Sequence, residues 1–99
     1  MFKVLRMGED AAGLNLATLG TQGKINIEAQ SAGYQNIFQG AEVRAYRIEC
    51  LEGGLQIYLD GSPVEEIRPG QSTDVEAKII RVKSSEKAGA KGVYARIQI

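Results

Sequence analysis

The sequence predicts an all-β fold, a small β-sandwich or jelly-roll-like barrel of about seven or eight short strands. Two observations favour this fold. Several short segments alternate apolar and polar residues with a period of two, and turn-forming residues separate these segments, with 12 glycines among 99 residues. Because no linker or internal repeat divides the chain, residues 1–99 are expected to form one domain.

The first half contains two predicted strands, an ambiguous stretch and a loop. Residues 2–5 are expected to form the first strand, and residues 24–30 alternate clearly. Residues 9–19 are compatible with a short helix or with extended structure, and Gly13 favours the extended form. Residues 31–40 are rich in Gly, Gln and Asn and are predicted to be a loop.

The second half begins with the clearest hairpin pattern in the chain. Residues 42–51 and 55–59 both alternate, and Gly53 lies in the turn between them, so these two strands are predicted to pair. Asp60–Gly61 and Pro69–Gly70 are further turn signals on either side of a short predicted strand.

Two longer strands complete the predicted fold. In residues 74–83 the apolar phase changes at Ile79–Ile80, which indicates a β-bulge or a strand that passes between two sheets. The last strand, residues 93–99, is expected to place Tyr94 outward and the alternate residues inward, namely Val93, Ala95, Ile97 and Ile99.

The charge balance narrows the class of partner. Twelve basic residues balance twelve acidic residues. This argues against nucleic acid or an anionic membrane as the main partner, because both require a basic excess. Zero net charge also removes self-repulsion and so favours association. The sequence contains no apolar run of signal-peptide or membrane-spanning length, so a cytoplasmic location is expected.

The residue inventory predicts that the protein is not an enzyme. The chain has no histidine, which excludes Ser-His-Asp and Cys-His arrangements and the usual zinc and mononuclear iron sites. A Ser-Lys pair from Ser84 or Ser85 with Lys83 or Lys87 is formally possible, but these residues lie in a polar segment with nothing to desolvate the lysine. No catalytic, cofactor-binding or metal-binding residue is predicted, and no cofactor is expected.

Cys50 is the only cysteine, so an intramolecular disulfide is impossible. It follows Ile48 in an alternating segment. We therefore expect a buried, chemically quiet thiol that packs as a small hydrophobic residue.

Two features are candidates for protein contact. The first is the segment with Tyr34, Ile37 and Phe38, because tyrosine supplies a large contact area at low entropic cost. The alternative is that Ile37 and Phe38 cap the core while Tyr34 lies at its rim. The second is a group of cations in the last quarter that includes Lys83 and Lys91. Its alternative is a solvated strand edge whose lysines prevent unwanted pairing.

Residues 46–99 resemble small virion proteins of tailed bacteriophages, such as capsid decoration and accessory proteins. The order of three motifs carries the likeness: Ile57-Tyr58-Leu59-Asp60-Gly61, then Arg68-Pro69-Gly70-Gln71-Ser72, then residues 79–85, followed by a Gly/Ala-rich loop and a terminal strand. The same rhythm is similar to a cupin-type jelly roll, but the chain lacks every histidine ligand of the metal cupins.

The sequence thus leads to two functional hypotheses. The first is a non-enzymatic structural protein that binds other protein subunits, including copies of itself. The resemblance implies a phage decoration, cement or connector protein, located in a virion that is assembled in the host cytoplasm. The alternative is a small ligand- or carbohydrate-binding module in which tyrosines form the stacking surface, namely Tyr34, Tyr46, Tyr58 or Tyr94.

Overall fold

The computed structural model describes residues 3–5 and 19–97. These residues form one antiparallel sheet and a single turn of 3-10 helix at Gln30–Ala32. They contain no α-helix, so the all-β prediction is confirmed for this part of the chain. The ambiguous stretch 9–19 lies outside it, apart from Leu19. The strands are β1 (Lys3–Leu5), β2 (Leu19–Ile27), β3 (Tyr34–Glu52), β4 (Leu55–Leu59), β5 (Ser62–Ile67), β6 (Ser72–Ser84) and β7 (Ala90–Ile97).

The strands pair in the order β2-β7-β3-β6-β4-β5, and β1 also pairs with β6. This path is open, so the described strands form a single sheet instead of the jelly-roll-like barrel or two-sheet sandwich expected from the sequence. The reason lies in β3 and β6, which have 19 and 13 residues. Each of them changes neighbours along its length, because β3 pairs with β7 only from Tyr46 onward and β6 pairs first with β1 and then with β4, so the parts of the sheet stay joined.

Strand β6 changes its buried face midway along its length. Val75 and Ala77 are buried before the change, and Ile80 and Val82 are buried after it. At the same point one edge of β6 exchanges its partner β1 for β4, and the register with β3 shifts. The predicted irregularity at residues 79–80 is therefore confirmed. This irregularity allows β6 to bury the side chains of one face before residue 79 and those of the other face after it.

The hairpin of β4 and β5 closes with the predicted turn Asp60–Gly61. Asp60 has φ +49° and Gly61 has φ +87°, the two positive values of a type I′ turn. The backbone N–H of Asp60 donates to the carbonyl of Ile79 at 2.9 Å. The carboxylate Oδ1 of Asp60 accepts from the backbone N–H of Ile79 at 3.0 Å. Asp60 therefore links this hairpin to β6 through two hydrogen bonds with Ile79, where the phase of β6 changes.

The environment of Asp60 makes the stability of this contact dependent on pH. Burial by itself would raise the pKa of Asp60, but the hydrogen bond from the backbone N–H of Ile79 is the foremost of several causes that lower its pKa below the ordinary value. A carboxylate with a lowered folded-state pKa adds stability above its unfolded pKa. This contribution is lost as the pH falls through the folded-state pKa.

We expect Asp60→Asn to flatten the acid limb of the stability profile. Wild-type protein should lose the Asp60 contribution below about pH 4, whereas the amide does not titrate. Asparagine tolerates positive φ, so the turn should persist. Urea unfolding of both proteins at about pH 7 and about pH 3 measures the difference. Equal losses of unfolding free energy on acidification would contradict the role assigned to Asp60.

The predicted hairpin between residues 42–51 and 55–59 is wrong. Strand β4 follows β3 in the chain but pairs with β5 and β6. Over residues 46–49 both edges of β3 are occupied, one by β6 and the other by β7. Because β6 and β7 occupy both edges of β3 there, β4 pairs instead with residues 80–84 of β6.

Cys50 is fully buried, as predicted. Its backbone N–H donates to the carbonyl of Gln71 at 3.0 Å, and its carbonyl accepts from the N–H of Gly70 at 2.9 Å. These bonds hold the predicted Pro69–Gly70 turn against β3, with Gly70 at φ +88°. Burial raises the pKa of the Cys50 thiol. Its low reactivity stays a prediction.

Strand β7 buries side chains on both of its faces, which corrects the predicted orientation. Tyr94 was expected to point outward, but it shares a face with its partner Ile48 and packs against the core. Its ring lies over Gly23, where a Cβ atom would clash with it. The predicted burial of Ala95 and Ile97 is confirmed, although they lie on the opposite face from Tyr94, and Ile99 lies outside the described residues. The missing side chain at Gly23 is what admits the Tyr94 ring.

Candidate functional site

Residues 34–40 form the beginning of β3, which corrects the prediction of a loop over residues 31–40. The register shifts between Asn36 and Phe38. This shift interrupts the period of two that would have revealed a strand.

The predicted contact residues of this segment separate into two environments. Ile37 is 8% exposed and belongs to the core. Phe38 is half-buried against the core, and its ring stacks on Tyr46 with the centroids 5.3 Å apart. Tyr34, by contrast, is 52% exposed. This is the arrangement of the capping alternative, and of the three predicted contact residues it leaves Tyr34 available to a partner.

Tyr34 and Lys83, two of the predicted contact residues, are brought together by the sheet. They are register partners on β3 and β6. The Lys83 Nζ atom lies 5.6 Å from the centroid of the Tyr34 ring, within the range of a cation-π interaction. The two candidate features of the sequence therefore meet in one place.

Two transverse rows of side chains extend this pair across three strands, β3, β6 and β4. The Tyr34–Lys83 row continues to Gln56 on β4, and the adjacent row joins Asn36, Arg81 and Tyr58. The rings of Tyr34 and Tyr58 meet edge to face across β6, with centroids 4.9 Å apart. We call this outward surface the tyrosine platform, and its members are Tyr34, Asn36, Gln56, Tyr58, Arg81 and Lys83.

The tyrosine platform carries positive charge. Neither Arg81 nor Lys83 forms an ion pair with a described carboxylate. Glu66 continues one of the rows on β5, but Arg68 holds its carboxylate at 2.7 Å. Burial is the largest cause that raises the pKa of Tyr58, and a hydrogen bond with Tyr34 raises it further. Tyr58 therefore stays a neutral phenol beside the two cations at physiological pH.

The sequence predicts only in part that Tyr58 and Arg81 belong to the tyrosine platform. Both residues occupy the polar phase of an alternating segment, so an outward orientation was predictable. Their adjacency was not, because it depends on the pairing of β4 with β6 and not with β3.

Lys91, the remaining predicted contact residue, belongs to other ladders. It is exposed on β7, where its register partners are Asn26 on β2 and Glu52 on β3. It lines a groove of about 650 Å³ that also contains carboxylates, namely Glu28, Glu52 and Glu86. Lys91 is therefore not part of the tyrosine platform.

Of the two serines considered for a Ser-Lys pair, Ser84 has hydrogen-bond partners, whereas the Ser85 hydroxyl is buried without one among the described residues. The Ser84 hydroxyl donates to the carbonyl of Glu86 at 2.7 Å and accepts from its N–H at 3.1 Å. The described residues contain no cluster of three or more Cys, Asp or Glu side chains that could hold a metal ion. In the same residues no helix is long and apolar enough to cross a membrane.

Comparison with known proteins gives no match. No protein-family model, curated protein or solved structure matches this chain. The functional argument therefore depends on the tyrosine platform and its surroundings.

Proposed function

We propose that this protein is a non-enzymatic structural component that binds other protein subunits, including copies of itself, through the tyrosine platform. The observation that carries the proposal is the exposed Tyr34 ring beside Lys83 and Tyr58 on the outward face of the sheet. Tyrosine and arginine are enriched among the residues that contribute most to protein interfaces. The assembly we propose is a tailed-phage virion, with the protein as a decoration, cement or connector component, because of the sequence resemblance.

The proposal predicts that Tyr34→Ala with Lys83→Glu weakens association but not folding. Tyr34 is largely exposed, so its loss should change the melting temperature by only a few degrees. The association constant should fall at least about tenfold, as expected when a central interface residue is lost. Sedimentation velocity over a range of concentrations measures self-association. Incorporation into particles measures binding to other subunits.

Lys87→Glu is the matched control, since Lys87 is an exposed lysine outside the tyrosine platform. It makes the same change of charge and should leave association unchanged. Equal weakening by both variants would show that only net charge matters. Unchanged association of the double variant would place the contact elsewhere, and Lys91→Glu then tests the groove beside Glu52.

Carbohydrate binding is a second candidate, because the exposed Tyr34 ring offers a surface on which a sugar can stack. This function requires Tyr34 but does not require Lys83. Tyr34→Ala should then abolish binding to a glycan array while Lys83→Glu retains it. Binding to a protein subunit, which would use both the aromatic ring and the positive charge, should be weakened by Tyr34→Ala and also by Lys83→Glu.

A further inference from the structure

The sheet has a second unusual feature beside Tyr34, a seam between β2 and the first part of β3. Within the described part of the chain, β2 pairs with β7 alone, and β3 pairs with β7 only from Tyr46 onward. Among the described residues, the outer edge of β2 and the outer edge of β3 near Gln35 therefore lack a backbone ladder with each other. The two edges face one another across this seam.

A single side chain bridges the seam. The Gln35 Oε1 atom accepts from the backbone N–H of Asn26 at 2.9 Å. The Gln35 Nε2 atom donates to the backbone carbonyl of Lys24 at 3.0 Å. The side-chain amide thus forms the two hydrogen bonds that the peptide group of a neighbouring strand would form. Because a side chain spans the gap, the two strands lie farther apart than the roughly 4.8 Å of a direct pair.

The surroundings of the seam specify the chemistry of a ligand. A groove of about 350 Å³ lies at the end of the seam where the chain passes from β2 to β3, and its lining includes Asn26, Tyr34 and Gln35. The isoleucines on the two strands face the core, namely Ile25, Ile27 and Ile37. On the outer side are Lys24 and the platform cations Arg81 and Lys83, against one carboxylate in the groove, Glu28.

We propose that the seam accepts an extended segment of a partner protein, with acidic and apolar residues in alternation, which replaces the Gln35 bridge. The segment would add as a strand and pair its backbone with these two edges, to which no described strand pairs at this point. Its apolar side chains would face the isoleucines, and its acidic side chains would face the cations. The inference rests on the proposed function and specifies the partner's contribution to it. In the free protein, Gln35 occupies backbone groups that would otherwise invite unspecific pairing.

The test uses the full-length protein and a synthetic peptide of about eight residues that alternates glutamate and valine. A peptide that alternates lysine and valine is the control. Amide hydrogen exchange followed by NMR reports on Lys24 and Asn26, whose groups lie at the seam. The acidic peptide should slow exchange at these amides at least about tenfold, and the basic peptide should not.

Variants of the protein separate the bridge from the charges. Gln35→Ala removes the internal competitor, so it should bind the acidic peptide several-fold more tightly than wild type. Lys24→Glu should weaken binding. Thermal unfolding of each variant verifies that it is folded.

Several results would overturn the proposal: no binding of the acidic peptide, equal binding of both peptides, or binding without slower exchange at Lys24 and Asn26. Peptide affinity that is unaffected by Gln35→Ala in a folded protein would overturn it as well. The variants Gln35→Ala and Lys24→Glu change no residue of the tyrosine platform. Failure at the seam is therefore distinguishable from failure of the tyrosine platform, which the self-association of the Tyr34 and Lys83 variant tests.

Discussion

Arg47→Ala should destabilise the protein by about 3–5 kcal/mol, because it leaves the buried carboxylate of Asp74 without its cation. Arg47 Nε donates to Asp74 Oδ1 at 2.8 Å, and Arg47 NH2 donates to Oδ2 at 3.1 Å. The Asp74 side chain is 4% exposed. This hydrogen bond is also the main cause that raises the pKa of Arg47. Urea unfolding of wild type and variant gives the difference directly.

Arg68→Ala is the matched control for this prediction. Arg68 forms two ion pairs, with Glu66 at 2.7 Å and Glu86 at 3.0 Å, but its side chain is 57% exposed. Exposed pairs contribute about 0–1 kcal/mol, so the control should change stability little. Similar losses in both variants would show that burial of Asp74 does not determine the effect. Replacing both Arg47 and Asp74 by apolar residues should recover much of the loss.

Gly89→Ala should be at least as damaging, with an expected loss above about 3 kcal/mol, because strain and collision act together. Gly89 has φ +98°, a conformation that residues with a Cβ atom rarely adopt. A Cβ atom there would lie 2.6 Å from the carbonyl oxygen of Glu28 and even closer to that of Ile27. Since both are backbone atoms, relief requires the start of β7 to move away from β2. Denaturant unfolding and the amide exchange of β2 both report this movement.

Gly70→Ala separates the two causes. Gly70 has φ +88°, but a Cβ atom there would have no neighbour within 4 Å. This variant should show only the conformational cost, about 1 kcal/mol. If Gly89→Ala lowers the free energy of unfolding no more than Gly70→Ala does, the contact of residue 89 with β2 adds nothing to the conformational cost.

Local patterns predicted much of the fold. The positive φ values of Asp60–Gly61 follow from residue types that tolerate them, and the Pro69–Gly70 turn is equally local. The burial of Cys50 and the phase change in β6 follow from side-chain periodicity. Tyr34 and Lys83 could be named as contact candidates from residue type alone.

Only the tertiary structure decided which strands pair and therefore which side chains meet. Sequence proximity suggested that β3 and β4 pair, but β6 and β7 already occupy both edges of β3. Tyr94 faces the core because Gly23 on a neighbouring strand leaves space for its ring. Tyr58 contacts Tyr34 because β6 lies between β3 and β4, and the two rings meet over the outward face of β6. Periodicity fixes the face of each strand, whereas competition for strand edges across the whole chain fixes its neighbours.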